Sequence, residues 1–252
     1  MDCFECLKEI LKLEVKPSAG CTEIAAIGYA ISLAKEGAKE PYDVELYLDY
    51  DVFKNAFAAG VPGGGFGIKA AVERGLLSEP RGLETLNTAT GSYNGKFYLL
   101  VKPVETKSLF IYARVNGRGT IIADGHDRII YNGRALNSVN EAMTIVGAAD
   151  QGSYLDQIYD RSTKTVHLHY SEMLEYIEAL ASDSVILKLI SEAIKLDMDL
   201  AEDNLRSQKY HGIARGMIEN DIIQKAAKYA AAAVESRMSG SSFPAMSVSG
   251  SG

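Results

Sequence analysis

Four strand-length apolar segments follow one another between Lys96 and Tyr131 with no helix-length stretch between them, and this run limits the fold more than any other part of the chain. Residues 97–101, 109–115, 120–123 and 128–131 are rich in β-branched and aromatic residues, and Asn116-Gly117 and Asn132-Gly133 supply turn dipeptides. Parallel strands need a crossover of about a dozen residues or more, so segments this close predict antiparallel pairing. On both sides the texture is helical. Phe4, Leu7, Ile10 and Leu11 share one stripe of residues 2–13, a second helix starts near Thr22, and residues 171–240 read as almost wholly helical. The pattern predicts an α+β fold, in which a helical unit made from both ends of the chain carries a smaller, inserted, antiparallel β-rich unit. The expected units are 1–90, 91–165 and 166–252, the last packing back on the first.

Within 1–90, Pro17 separates the first two helices, and residues 44–50 alternate apolar and acidic positions as a strand does. Residues 60–67 hold five glycines and a proline and must be a loop. Helices are expected at 67–77 and at 80–88, the second entered through Pro80.

Composition narrows the function. At 252 residues and 47% hydrophobic content the chain is globular, and its length suits one large domain or two modest ones sharing a face. A net charge of −7 excludes nonspecific nucleic-acid binding, which needs a clustered basic surface. No apolar run reaches the ~18 residues of a membrane span, and the N-terminus lacks a signal-peptide pattern, so a cytoplasmic location without a membrane partner is expected. The three cysteines, Cys3, Cys6 and Cys21, lie near one end, which fits reduced thiols or metal ligands better than a disulfide framework.

Cys21 stands on the turn Pro17-Ser18-Ala19-Gly20-Cys21-Thr22-Glu23, at the mouth of a helix of small apolar residues. The Thr22 hydroxyl suits helix capping, and Glu23 lies in the first turn, where a carboxylate is favoured. A thiol at a helix N-terminus ionises more easily, and the thiolate attacks electrophiles and binds metal. The competing reading is a small buried hydrophobe beside a cap. Cys3 and Cys6 form a CxxC pair that reads as incidental to a helix; the alternative joins them to Cys21 as three thiolates on one cluster. Residues 62–67 offer backbone N–H groups to an anion such as a substrate carboxylate, or simply form a tight turn. They lack the lysine and serine/threonine of a phosphate loop. His126 follows Asp124-Gly125 at a strand end, where functional groups are often presented, whereas His167, His169 and His211 read as surface residues.

Gly20-Cys21-Thr22-Glu23 resembles the signature of the L-cysteine desulfidase family, relatives of the iron–sulfur L-serine dehydratase alpha chains, with Ile24 where that family usually has proline. Residues 55–63 resemble a second family segment. Ser236-Arg237-Met238-Ser239-Gly240, followed by residues 243–252, is similar to the family's helix end and its serine/glycine-rich loop. The resemblance implies elimination from L-cysteine to sulfide, pyruvate and ammonia, or dehydration of L-serine, at a 4Fe–4S cluster with Cys21 as a ligand. It places His126 and Ser249 in catalytic roles and Thr22, Glu23, Gly63, Gly64, Ser247 and Ser251 around a small amino-acid substrate. Asp127 and Arg128 replace the threonine and asparagine that follow the family's histidine, so only the imidazole carries over. The sequence stops at Gly252, inside the loop, ahead of the family's remaining cluster cysteines. The ligand set is therefore expected to be incomplete and the chain to fold but be inactive alone, partnered by a complementing C-terminal segment or a second copy. The alternative is a truncated, non-catalytic remnant. A pyridoxal-phosphate lyase would need a Schiff-base lysine and a phosphate cup, and no convincing pair is present.

Overall fold

The computed structural model describes residues 3–149, 158–160 and 165–248, and it is mixed α+β as the pattern predicts. The chain opens with α1 (Cys3–Glu14), β1 (Val15–Ser18) and α2 (Thr22–Ala34). β2 (Tyr42–Asp49), α3 (Tyr50–Ala56) and α4 (Gly67–Leu77) come next, and then β3 (Phe97–Val104), β4 (Phe110–Val115), β5 (Arg118–Ala123), β6 (Ile129–Arg134) and α5 (Val139–Ala149). After the short pair β7 (Tyr159–Asp160) and β8 (Thr165–Val166) come α6 (Tyr170–Ser182), α7 (Ser184–Arg206), α8 (Ile222–Met238) and β9 (Ala245–Val248).

The main sheet has the order β3-β2-β4-β5-β6. Neighbours in the run β2-β4-β5-β6 pair antiparallel, as expected, but β2 and β3 are parallel, with Tyr42 opposite Phe97 and Asp49 opposite Val104. The short spacings that predict antiparallel pairing all lie downstream of β3. Its actual partner lies upstream, and α3 and α4 in between provide the crossover that a parallel pair needs. The sheet thus reaches outside 91–165 and takes β2 from the N-terminal segment.

Strand residues alternate between two apolar clusters, one on each face. On β4, Ile111, Ala113 and Val115 join Ile24, Ile27, Ile31, Leu46 and Val72 in a large core with α2 and α4. Phe110 and Tyr112 point the other way and pack with Ile121, Leu136 and Ala142 under α5. α2 is apolar nearly all round and is the buried axis of this body, which is what such a helix requires. The expected 80–88 helix is a single 3-10 turn, Thr85–Asn87. Thr85 Oγ accepts from the Arg81 N–H and donates to the Gly82 carbonyl, and Thr88 Oγ bonds residue 79, so side chains take the groups a helix would use.

Antiparallel β1 and β9 set Ser18 opposite Ala245 and Lys16 opposite Ser247, and so bring the C-terminal segment back to the N-terminal one. Among the described residues no helix is long and apolar enough to cross a membrane.

Candidate functional site

The turn carrying Cys21 is gripped from two sides. The Arg237 side chain, 8% exposed, donates from Nε to the Gly20 carbonyl at 3.1 Å. Across the turn, Pro62 packs on Gly20, which has φ +74°. Residue 60 then touches the end of α8: the Gly60 N–H donates to the Met238 carbonyl at 2.8 Å. This backbone approach leaves no room for a side chain, since a Cβ on Gly60 would lie 2.3 Å from the Ser239 carbonyl carbon and one on Gly240 2.7 Å from the Val61 nitrogen. The three segments singled out in the sequence therefore meet at one place.

At that place Cys21 is the N-cap of α2, and it makes no side-chain cap bond. Its thiol, 5% exposed, instead donates to Glu23 Oε2 at 2.7 Å. Thr22, expected as the cap, is fully buried and also donates to Glu23 Oε2, at 3.2 Å. Asn55 on α3 donates to Glu23 Oε1 at 2.9 Å, and His126 Nε2 stands 4.0 Å from the same oxygen. Burial pushes the Glu23 carboxyl up, but hydrogen bonds from Cys21 and Asn55 outweigh it and hold the group below its ordinary value, ionised.

The thiol goes the opposite way. Burial first, and the Glu23 charge second, push Cys21 up to about 12, so it is protonated at neutral pH. The easy ionisation expected at a helix N-terminus is lost here, because burial and a nearby carboxylate oppose the helix dipole and exceed it. All three cysteines are free thiols. Cys3 and Cys6 lie on α1, and among the described residues no three or more His, Cys, Asp or Glu side chains surround a common metal position.

His126 sits in the turn after β5, on the wall between two cavities. A small one of about 40 Å³ also holds Ser247, Lys16 and Asp127. A larger cleft of about 320 Å³ holds Glu23, Asp49, Asp51, Lys107 and Ser108. Asp127 and Arg128, which depart from the family pattern, fix this turn: Lys16 Nζ pairs with Asp127 at 2.6 Å, and Arg128 pairs with Asp124 at 3.2 Å.

Other expected positions fall elsewhere. Gly63 and Gly64 are not at this site: Gly64 is exposed, and the space above Gly63 is filled by the Arg74 guanidinium, 2.4 Å from where a Cβ would be. The amides of Val61, Gly64 and Gly67 bond to carbonyls within or beside the loop, so these three are not offered to an anion, and the loop forms a turn that seats Pro62 on Gly20. Ser249 and Ser251 lie outside the described residues. Asn55 and Arg237 carry no functional signal in the sequence beyond their place inside the matched segments.

Comparison with known proteins finds similar chains. A UPF0597 protein of Caldanaerobacter subterraneus subsp. tengcongensis is 31% identical over 98% of this chain and 60% of its own length. An L-cysteine desulfidase of Methanocaldococcus jannaschii is 31% identical over 98% of this chain and 58% of its own length. The chain is similar to L-cysteine desulfidase-like proteins over almost its whole length. A further relative, a UPF0597 protein of Clostridioides difficile, is 26% identical over 97% of this chain and 61% of its own length. The chain thus spans about three-fifths of the length of the relatives it matches. No family model matches it, and no solved structure does.

Proposed function

We propose that the Cys21–Glu23–His126 locus is the proton-handling part of a lyase centre that eliminates the β-substituent of a small L-amino acid, with L-cysteine as the substrate. The observation that carries the reading is the meeting of all three family-like segments around an ionised, partly buried carboxylate with an imidazole 4.0 Å away.

The cleft beside His126 presents charges of both signs, Asp51 and Lys107, which suits a zwitterion: carboxylates face its ammonium and the lysine its carboxylate. His126 takes the α-proton. The Cβ–S bond breaks, sulfur leaves as hydrosulfide with the bonding pair, and the aminoacrylate reacts with water to give pyruvate and ammonia. Glu23 orients the imidazole and stabilises the imidazolium that forms, a role that requires the carboxylate to be ionised.

A 4Fe–4S cluster does not fit the described donor set. Cys21 is the one cysteine within the converging segments, and among the described residues no three or more His, Cys, Asp or Glu side chains gather to hold a metal ion. Iron–sulfur dependence belongs to this proposal only for an assembly that brings further ligands to Cys21.

The test is anaerobic sulfide release from L-cysteine and pyruvate formation from L-serine, with iron and sulfide supplied. The 252-residue chain is assayed alone and joined to the part of the Methanocaldococcus jannaschii relative that lies outside the match. The joined form is expected to turn over, and His126→Ala to lower its kcat about 10²–10⁴-fold, as loss of a general base does. An unchanged rate in His126→Ala overturns the role of His126. Absence of turnover in both forms favours the non-catalytic reading.

A further inference from the structure

The helical part of the molecule leaves an apolar face uncovered. On α7, Leu187, Ile190, Ile194 and Met198 recur at i, i+3, i+7 and i+11, which places them on one stripe. They are 47%, 48%, 61% and 40% exposed. Ile186, Leu200, Ala201 and Asn204 of the same helix are buried. α7 therefore carries a used face and an unused one. Part of the stripe runs into an apolar groove of about 540 Å³, shared with α1, α8 and β9 and lined also by Leu11, Ala193, Tyr229 and Val248. Contiguous apolar surface of this kind marks a contact that is normally covered.

Two facts indicate what covers it. The chain spans 58–61% of the length of its matched relatives, so about two-fifths of each relative has no counterpart here. Val248, the last residue of β9, lines the groove, so the end of this strand lies at the groove wall.

We propose that this face docks the polypeptide segment that the longer relatives carry in addition, joined to β9 or supplied as a separate chain, and that the segment presents an apolar helix face to α7 and α8. The proposal rests on similarity to these relatives and is independent of the elimination reaction.

The experiment appends the unmatched part of the Methanocaldococcus jannaschii L-cysteine desulfidase to the C-terminus of this chain. It then follows amide hydrogen exchange, binding of an apolar-surface dye and sedimentation. Exchange in α7 and α8 is expected to slow at least about tenfold relative to the 252-residue chain, and dye binding to fall. The double substitution Ile190→Asp and Ile194→Asp removes both effects; Ile194→Lys alone, a milder change at an exposed position, diminishes them and preserves the fold. Unchanged exchange in the joined protein overturns the proposal. So does sedimentation of the 252-residue chain as a dimer that Ile194→Lys converts to monomer, because the face then belongs to a second copy.

Discussion

The sheet body and the helical part both carry large apolar side chains, yet they bury them very differently. Around the sheet, α2 and α4 on one face and α5 on the other leave Ile24, Ile27, Ile31, Leu46, Leu48, Ile111, Tyr112 and Ile121 with no exposed surface. In the helical part the buried cluster is Ala201, Ala214 and Ala232, with Ile186 and Leu200 also buried, while Ile190 and Ile194 of α7 and Ile222 and Ile223 of α8 face outward. A three-layer sandwich closes on itself; a pair of long helices presents two sides and needs something on each. The candidate site lies on the seam between the two parts, where residues 60–62 and 237–240 meet the Cys21 turn.

The largest test of this contrast is a matched pair of truncations. Leu46→Ala, in the sheet core, is expected to cost about 2–5 kcal/mol through lost burial and a cavity. Ile194→Ala, 61% exposed, is expected to cost no more than about 0.5 kcal/mol in the same urea titration. Equal costs would show that the helical face is covered in solution and break the comparison.

The seam itself comes next. Gly240 has φ +78° and touches the Val61 backbone, so Gly240→Ala is expected to cost about 1–3 kcal/mol and to speed Cys21 alkylation as the turn loosens. Gly117→Ala shares the positive φ but meets nothing within 4 Å, so it separates conformational strain from the loss of the close approach. An equal effect on alkylation from both would show that the seam does not hold the Cys21 turn.

Most elements of the sheet body are readable in the sequence because their periods are simple. The strands within 97–131 alternate or form short apolar runs, and the α2 run of small apolar residues announces a buried helix. Pairing is less readable. The parallel β2–β3 contact joins segments far apart in sequence, and no local pattern specifies a long-range partner. Ala245-Met246-Ser247-Val248 reads as part of a loop because it has no strand signal of its own; it forms β9 because β1 is there to pair with it. At the site, the motifs bring Cys21, Glu23, His126 and Ser247 together as neighbours through Glu23 and the cavities of His126. The proton state of Cys21 is not legible in the motif, because it depends on where the Glu23 side chain folds back.

A smaller effect is expected from Arg237→Met, which keeps an unbranched stem about as far as Nε but removes the donor to the Gly20 carbonyl. Loss of the hydrogen bond from this charged, buried donor costs about 1.5–3 kcal/mol, partly recovered because the guanidinium no longer has to be desolvated. The seam would survive through Gly60 and Met238, so thermal melting should fall modestly and remain a single transition. Two transitions would mean that Arg237 is what couples the helical part to the sheet body.

The smallest effect on stability, and the sharpest on chemistry, is expected from Glu23→Gln. Glutamine retains an acceptor for Asn55 or for the thiol but removes the charge that faces the sulfur. Burial is the larger cause of the raised Cys21 value and stays in place, so the thiol should titrate below about 12 but still above its ordinary 9.0. Iodoacetamide should therefore alkylate Cys21 faster in the variant at any given pH between about 7 and 11. Linkage gives a second readout. In the wild-type protein the unfolded chain ionises Cys21 near 9.0 while the folded chain keeps the proton until about 12, so the stability held below that lower value drains away as pH rises through the window. Glu23→Gln closes the window from its upper end, and the loss of urea midpoint between about pH 8 and pH 11 should shrink. The site would then behave as part of the rigid sheet body, with a thiol whose proton is held by fixed neighbours. An alkylation profile that does not move would place Cys21 instead in a loosened seam, where solvent rather than Glu23 sets its charge.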